Sequence, residues 1–251
     1  MMKDFIRKIL RALHLDLTKN LQYDRSTVKI MKRIIKPASN CVDIGCHKGE
    51  MLDLMLKYAP AGKHFAFEPI PEMYEQLKLR YNGNCEVFQM ALSDKKGETT
   101  FNYVKNAPAY SGIKKRKYAV KVPQIEELKV NVDLLDNVLP KDLKIDFIKI
   151  DVEGGEFGVL KGAVEILKKS KPVVVFEFGL GASEFYGTKP GELFDLLETC
   201  GLKISLLKSW LKEENPLDKE AFIEIYHENK EYYFIAHPWT EKFVIRCGVC
   251  T

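Results

Sequence analysis

From Cys41 onward, short apolar runs alternate with amphipathic stretches of helical period. Cys41–Ile44, His64–Phe67, Glu86–Met90, Asp146–Ile150 and Val173–Phe178 read as strands, with Lys203–Leu207 and Tyr232–Ala236 as late ones. Between them, Met51, Leu52, Met55 and Leu56 recur at helical spacing. Helices are likewise expected over Pro71–Tyr81, Gly155–Ser170 and Pro190–Cys200, the last two flanking the most apolar run. Strands alternating with helices predict an α/β fold with a doubly wound, mostly parallel sheet. Val173–Phe178 (VVVFEF) should lie at its centre, buried on both faces. Ala221–Glu228 reads as a helix and Lys208–Lys219, polar and without a clear period, as a loop.

Two regions depart from this rhythm. Residues 1–38 read as a helical extension before a domain spanning 39–251. Phe5, Ile6, Ile9, Leu10 and Leu13 share one face of its first helix, with Lys3, Arg7, Lys8 and Arg11 elsewhere. Such a face packs on its own domain or on a second copy in a homodimer. Peripheral membrane contact is the alternative. A second helix is expected from Ser26 to Ile35, ending before Pro37. Within the domain, residues 93–133 hold two extended stretches, GETTFNYV and KYAVKVPQI, separated by AYSGIKKR. This predicts an inserted hairpin above the sheet, with Ser111-Gly112 placed to fold over a crevice as a lid.

Composition narrows the class. The chain has 251 residues, 46% hydrophobic and 29% charged, which is a globular mix that excludes disordered and collagenous classes. Lys+Arg 39 against Asp+Glu 35 leaves +4, too little to argue for nucleic acid by itself. No stretch approaches the roughly 20 apolar residues of a membrane-spanning helix. Arg7, Lys8 and Arg11 interrupt the apolar run a secretory signal needs. Cys41, Cys46, Cys85, Cys200, Cys247 and Cys250 are scattered, as expected for reduced thiols in a cytoplasmic protein. Cys247-Gly-Val-Cys250 lacks the second pair that a zinc site requires.

The chemistry concentrates at strand ends. Asp43-Ile-Gly45-Cys-His-Lys-Gly49 follows the first strand, where a glycine turn lets backbone approach a ligand. The spacing is not the G-x-G-x-x-G of a dinucleotide site, which opposes a nicotinamide-dependent oxidoreductase. A carboxylate at Asp43 repels phosphate and suits a positively charged ligand. Glu68-Pro69 follows the second strand, 23 residues after Gly45, where a carboxylate accepts hydrogen bonds from both ribose hydroxyls. An acidic loop with a ribose-binding acid points to a cationic nucleoside, and S-adenosylmethionine fits better than NAD. A third cluster, Asp151-Val-Glu153-Gly-Gly-Glu156, follows the strand at Phe147. It can position the cofactor's amino-acid end, act as general base, or hold a metal such as Mg²⁺ together with Glu177. An all-organic site is the favoured reading. Glu156 is equally a first-turn carboxylate drawn to the helix dipole. His47 is a second general-base candidate beside Glu153. Lys114-Lys-Arg-Lys117, flanked by Tyr110 and Tyr118, has the look of a nucleic-acid patch, an anion-attracting surface or a solvated hairpin tip, and the tip is favoured.

These motifs resemble the FkbM-type family of S-adenosylmethionine-dependent methyltransferases. The matching pieces are CVDIGCHKGE, HFAFEPIPEMYEQL, FQMALSDKKGETTF, VNVDLLDNVL, FIKIDVEGGEFGVLKGA and PVVVFEF, in that order, over roughly Cys41 to Phe178. The run IDVEGGEFGVLKGA is the most specific. Relatives more often carry Ala-Asn where this chain has Cys46-His47. The resemblance implies a Rossmann-like seven-stranded sheet of order 3-2-1-4-5-7-6, the last strand antiparallel. It implies that Asp43, Gly45 and Gly49 shape the cofactor loop, and that Glu68 takes the ribose. It also implies that Ala91 and Leu92 lie near the adenine, that Asp151 approaches the methionine end, and that Glu153 faces the reacting centre. The activity it implies is O-methylation of a small molecule or carbohydrate. A non-catalytic nucleoside-binding scaffold is a further alternative.

Overall fold

A computed structural model describes residues 19–116, 118 and 120–239. The first amphipathic helix expected near the start and the Cys247–Cys250 pair lie outside these residues. The elements, in order, open with helix α1 (Lys19–Ile34), strand β1 (Cys41–Ile44), α2 (Glu50–Tyr58), β2 (His64–Phe67), α3 (Pro71–Arg80) and β3 (Glu86–Phe88). Then come β4 (Ala91–Leu92), β5 (Gly97–Val104), β6 (Ile125–Asp133), α4 (Leu135–Val138), β7 (Phe147–Ile150), α5 (Glu156–Lys161) and α6 (Val164–Ser170). The last are β8 (Val173–Glu177), α7 (Pro190–Thr199), β9 (Lys203–Leu206), α8 (Leu207–Leu211), α9 (Lys219–Glu228) and β10 (Tyr233–His237).

Seven strands form one sheet in the order β3-β2-β1-β7-β8-β10-β9. β10 runs antiparallel to both its neighbours, and the other pairings are parallel. This is the Rossmann-like order that the resemblance implies. Alternation along each strand sends residues to opposite faces. Val42, Ile44, Ile148, Ile150, Val174 and Phe176 join one apolar cluster with residues of α5, α6, α7 and α9. Cys41, Phe147, Val173, Val175 and Ile235 join the other, with Ile30 and Met31 of α1 and Trp210 of α8. Every residue of β1, β2 and β7 is buried, as parallel strands covered on both faces must be.

The structure differs from the sequence expectations in five places, one being the insertion's second long strand, which is Ile125–Asp133 and not the expected KYAVKVPQI. Helix α1 is already formed at Lys19, well before the expected start at Ser26, and Leu21 and Tyr23 face the core. The helix expected over Gly155–Ser170 is broken between α5 and α6. There Ala163 leaves helical geometry (φ −124°), and Asp136 of α4 accepts from the amides of Glu165 and Ile166 at the new start. Leu207–Leu211 is a helix and not a loop, its Leu207 and Trp210 buried one turn apart. The third strand stops at Phe88, and β4 leaves to join the insertion. That insertion is a three-stranded sheet, β4-β6-β5, in which β5 and β6 form the long antiparallel pair.

Candidate active site

One cavity of about 280 Å³ lies at the carboxyl ends of β1, β2, β7 and β8, between the helix α1 side and the β5–β6 insertion. Asp43, Gly45, His47, Glu68, Pro69, Ala91, Leu92, Asp151 and Glu153 all line it. Gly49 does not; it stands behind the loop as the N-cap of α2. The walls also include Asn20 and Asp24 of α1, Pro108, Ser111 and Ile113 of the insertion, and Lys149, Glu177, Tyr186 and Tyr233.

The loop after β1 is built by extending the strand ladder. The amides of Gly45 and Cys46 donate to the Phe67 carbonyl at 3.0 and 3.3 Å, and Gly49 donates to Cys46 at 2.7 Å. Gly45 has φ +74°, and a Cβ there would sit 1.9 Å from the Asp151 carbonyl oxygen. Only glycine lets the first loop pass so close to the loop after β7. Glu68 ties the second strand end to this loop. Its Oε2 accepts from the His47 amide at 2.9 Å and its Oε1 from Ile70 at 3.0 Å. Burial pushes its carboxyl up to about 7, against the pull of those two amides. His47 and Glu153, the two general-base candidates, are both non-glycine residues at positive φ (49° and 58°), a strain that clusters at functional sites.

Lys149 is the residue that sequence reasoning missed. It lies in β7, beside β1, and its Nζ stands 3.7 Å from Asp43 Oδ1 and 3.3 Å from Asp151 Oδ2. Burial pulls its ammonium down, but Asp151 and Asp43 outweigh it and hold it charged. Asp43 is fully buried, and neither of its oxygens accepts a hydrogen bond of normal geometry. Burial raises its carboxyl against the attraction of Lys149. Asp151 stays low in spite of burial, through Lys149, the Tyr233 hydroxyl at 2.8 Å and Glu177. Glu177 is driven well above the usual range by burial first and by Asp151 second. A lysine inside the otherwise apolar FIKI was the available signal, since lysine is almost never buried unpaired.

The register explains why these groups meet. Ile150 pairs with Phe176, so Asp151 and Glu177 leave the sheet side by side. Tyr233 of β10 pairs with Glu177 directly and stacks on Tyr23 of α1, with ring centroids 4.9 Å apart. Asp151, Glu153 and Glu177 each offer an oxygen within 4.8 Å of the others. Glu153 is also ion-paired with Arg116 of the insertion. Glu156 is turned away from ligand duty. Its Oε1 accepts from the amides of Val152 and Gly154, closing the turn into α5.

A doubly wound sheet with its cavity outside the carboxyl ends of the strands is the ligand-binding arrangement of open α/β proteins. The chain belongs to the FkbM methyltransferase domain family, whose model matches residues 43–204. Membership in this family opposes the oxidoreductase alternative. The chain is 24% identical to the AMB antimetabolite synthetase AmbE of Pseudomonas aeruginosa, over 72% of its own length and 10% of that protein's. It thus spans about a tenth of the curated relative it matches. Among solved structures, methyltransferase FkbM from Methylobacillus flagellatus KT is similar over 84% of this chain and 50% of that one (14% identity, TM-score 0.49). Aeropyrum pernix fibrillarin with natively bound S-adenosyl-L-methionine is similar over 85% and 74% (11% identity, TM-score 0.43). No helix among the described residues is long and apolar enough to cross a membrane.

Proposed function

We propose that the cavity binds S-adenosylmethionine and that the protein transfers its methyl group to a hydroxyl of a small molecule or carbohydrate. The observation that carries this reading is the floor of the cavity. Asp43 and Asp151 share one lysine, so the carboxyl groups of the floor outnumber the cation that faces them. No hydrogen bond of normal geometry reaches either Asp43 oxygen. Such a floor suits a cationic ligand and disfavours the phosphates of a dinucleotide. The bound donor supplies a methyl group already activated by the positive charge on sulfur.

The chain's own residues do the rest. Asp43, Gly45 and Gly49 shape the loop against the donor, and Glu68 and Pro69 receive its ribose. Ala91 and Leu92, both buried at the start of the insertion, flank the adenine. Asp151 faces the methionine end. The walls from α1 and the insertion align the acceptor, and orientation of this kind contributes about 7–11 kcal/mol in favourable cases. Glu153 takes the acceptor's proton as the new bond forms, with His47 as the second candidate. Burial, then Lys48 and Lys149, lower the His47 ring, which keeps it neutral and able to accept. A metal is not required by this scheme: Lys149 and Arg116 already stand against Asp151 and Glu153. Titration calorimetry with S-adenosylmethionine tests the reading, followed by conversion to S-adenosylhomocysteine across a panel of hydroxylated acceptors. Binding should be lost or severely weakened in Glu68→Ala. No binding by the unaltered protein, or equal binding by the variant, overturns it. Binding without turnover on any acceptor supports the scaffold alternative instead.

A further inference from the structure

The cavity occupies the carboxyl ends of the strands, and the opposite end of the same sheet has a different character. Four segments lead into the adjacent parallel strands β2, β1, β7 and β8: residues 60–63, 36–40, 140–146 and 168–172. Together they hold seven lysines, all exposed, and two aspartates. This one face thus carries +5, while the whole chain carries +4. Hydrogen bonds knit the four segments into a continuous surface. The Ala61 amide donates to the Pro37 carbonyl at 2.9 Å, and the Lys63 amide to Asn40 Oδ1 at 2.8 Å. Asn40 Nδ2 donates to the Lys144 carbonyl at 2.8 Å, and the Ile145 amide to Ser170 Oγ at 3.1 Å. Lys169 Nζ donates to the Lys141 carbonyl at 2.7 Å.

Among the described residues, acids answer only two of the seven lysines: Asp146 faces Lys144 at 3.1 Å and Asp142 faces Lys169 at 3.4 Å. Two glutamates flank the face. Glu86 begins β3 at one edge of the sheet, and Glu198 near the other edge is held by Lys203 at 2.6 Å. Helix dipoles draw cations to helix ends, which accounts for Lys168 and Lys169 in the last turn of α6. They do not account for Lys63 and Lys144, which stand in the loops ahead of β2 and β7. The four segments contain no arginine and no aromatic residue. Nucleic-acid sites use both, for forked contacts to phosphate and for stacking on bases. Separate, strongly hydrated ammonium groups spread over an exposed face complement a diffuse layer of anionic headgroups. We propose that this face rests on an anionic lipid surface, which turns the cavity at the other end of the sheet away from the bilayer and toward water. The cavity's ligands are then drawn from the aqueous side, and the proposal stands apart from the identity of donor and acceptor.

Co-sedimentation of the full chain with lipid vesicles tests this. The protein should partition onto phosphatidylcholine vesicles that contain about 30% phosphatidylserine, and not onto phosphatidylcholine alone. Salt at about 0.5 M should release it. The combined variant Lys36→Gln, Lys63→Gln, Lys171→Gln should lower partitioning at least about tenfold, whereas Lys95→Gln, Lys121→Gln, Lys129→Gln, which removes equal charge from the insertion, should lower it less than about threefold. Hydrogen exchange on the vesicles reads the orientation: the amides of residues 61–63 and 141–144 should gain protection, and those of the loop at 45–49 should not. No partitioning onto the anionic vesicles, equal loss in the two triple variants, or protection confined to residues before Lys19 overturns the proposal. So does tighter binding to a DNA duplex at the same salt that depends on the same three lysines, which would make the partner a nucleic acid.

Discussion

Lys149 and Glu156 are both charged residue types buried beside the cavity, and the fold treats them in opposite ways. Lys149 has two carboxylates within 4 Å, so its charge is kept. Removing it strands Asp43 and Asp151 together in the interior. Lys149→Met should therefore cost about 3–5 kcal/mol near neutral pH, the usual penalty for deleting one partner of a buried ion group. The loss should shrink in acid, where the two carboxyls take up protons; urea denaturation at several pH values measures both effects. Glu156 has backbone amides but no cation, and burial pushes its carboxyl from 4.5 up to about 7. Below pH 4.5 the folded and unfolded chains both hold this proton. Between 4.5 and 7 only the folded chain holds it, and above 7 the charge must be carried while buried. The stability tied to Glu156 is thus fully present in acid and is lost as pH rises through about 7, on the order of 3 kcal/mol in all. Glu68 titrates in the same direction over the same range. Glu156→Gln keeps a carbonyl for the two amides and removes the titration. Its melting temperature should exceed that of the unaltered protein above pH 7, and its fall between pH 4.5 and 7 should be shallower.

Elements bring these residues together, and a glycine marks where the approach is closest. An alanine at Gly45 would need both positive φ and space that the Asp151 carbonyl already fills. Gly45→Ala should cost more than about 1 kcal/mol by chemical denaturation and should abolish donor binding by calorimetry, because the β1 and β7 loops must move apart. This junction also shows what the sequence makes legible. The strands and the acids near their ends announce themselves through short apolar runs that carry Asp43 or are followed by Glu68 and Asp151, whereas the strand order is implied only by the family resemblance. Those signals are local. Whatever depends on packing between distant segments leaves a fainter trace. Lys149 stands inside an apolar run, but nothing nearby tells which acids it meets. Tyr233 becomes a cavity residue only through the antiparallel register that sets it beside Glu177. Arg116 belongs to a run of four basic residues that reads as a solvated tip, and its inward turn follows from where Gly181 and Glu153 happen to lie. Helix α8 is too short for periodicity to declare it, and Trp210 is buried by a face of the sheet that the segment itself does not encode.

At the scale of the molecule, the formal charge is +4 while the cavity is lined by Asp24, Asp43, Glu50, Glu68, Asp151, Glu153 and Glu177. Long-range attraction therefore does not bring a cation to this protein; the preference has to come from short-range contacts inside the cavity. Charges on the surface are screened beyond about 8–10 Å at physiological salt, whereas buried ones are screened far less. Two consequences separate this design from electrostatic steering. An analogue of S-adenosylmethionine in which the sulfonium is replaced by a protonated amine should bind at least about tenfold more tightly than the uncharged thioether product, a difference of about 1.4 kcal/mol. That preference should change little as salt is raised, because the acids responsible sit on the cavity floor. Asp43→Asn should reduce the preference, since it removes the buried charge while keeping the shape of the loop. Calorimetric titrations of both ligands, at low and high salt, measure all three effects. Equal affinity for the charged and uncharged ligands would show that the acid-lined floor serves folding alone, with Lys149 already answering its charge.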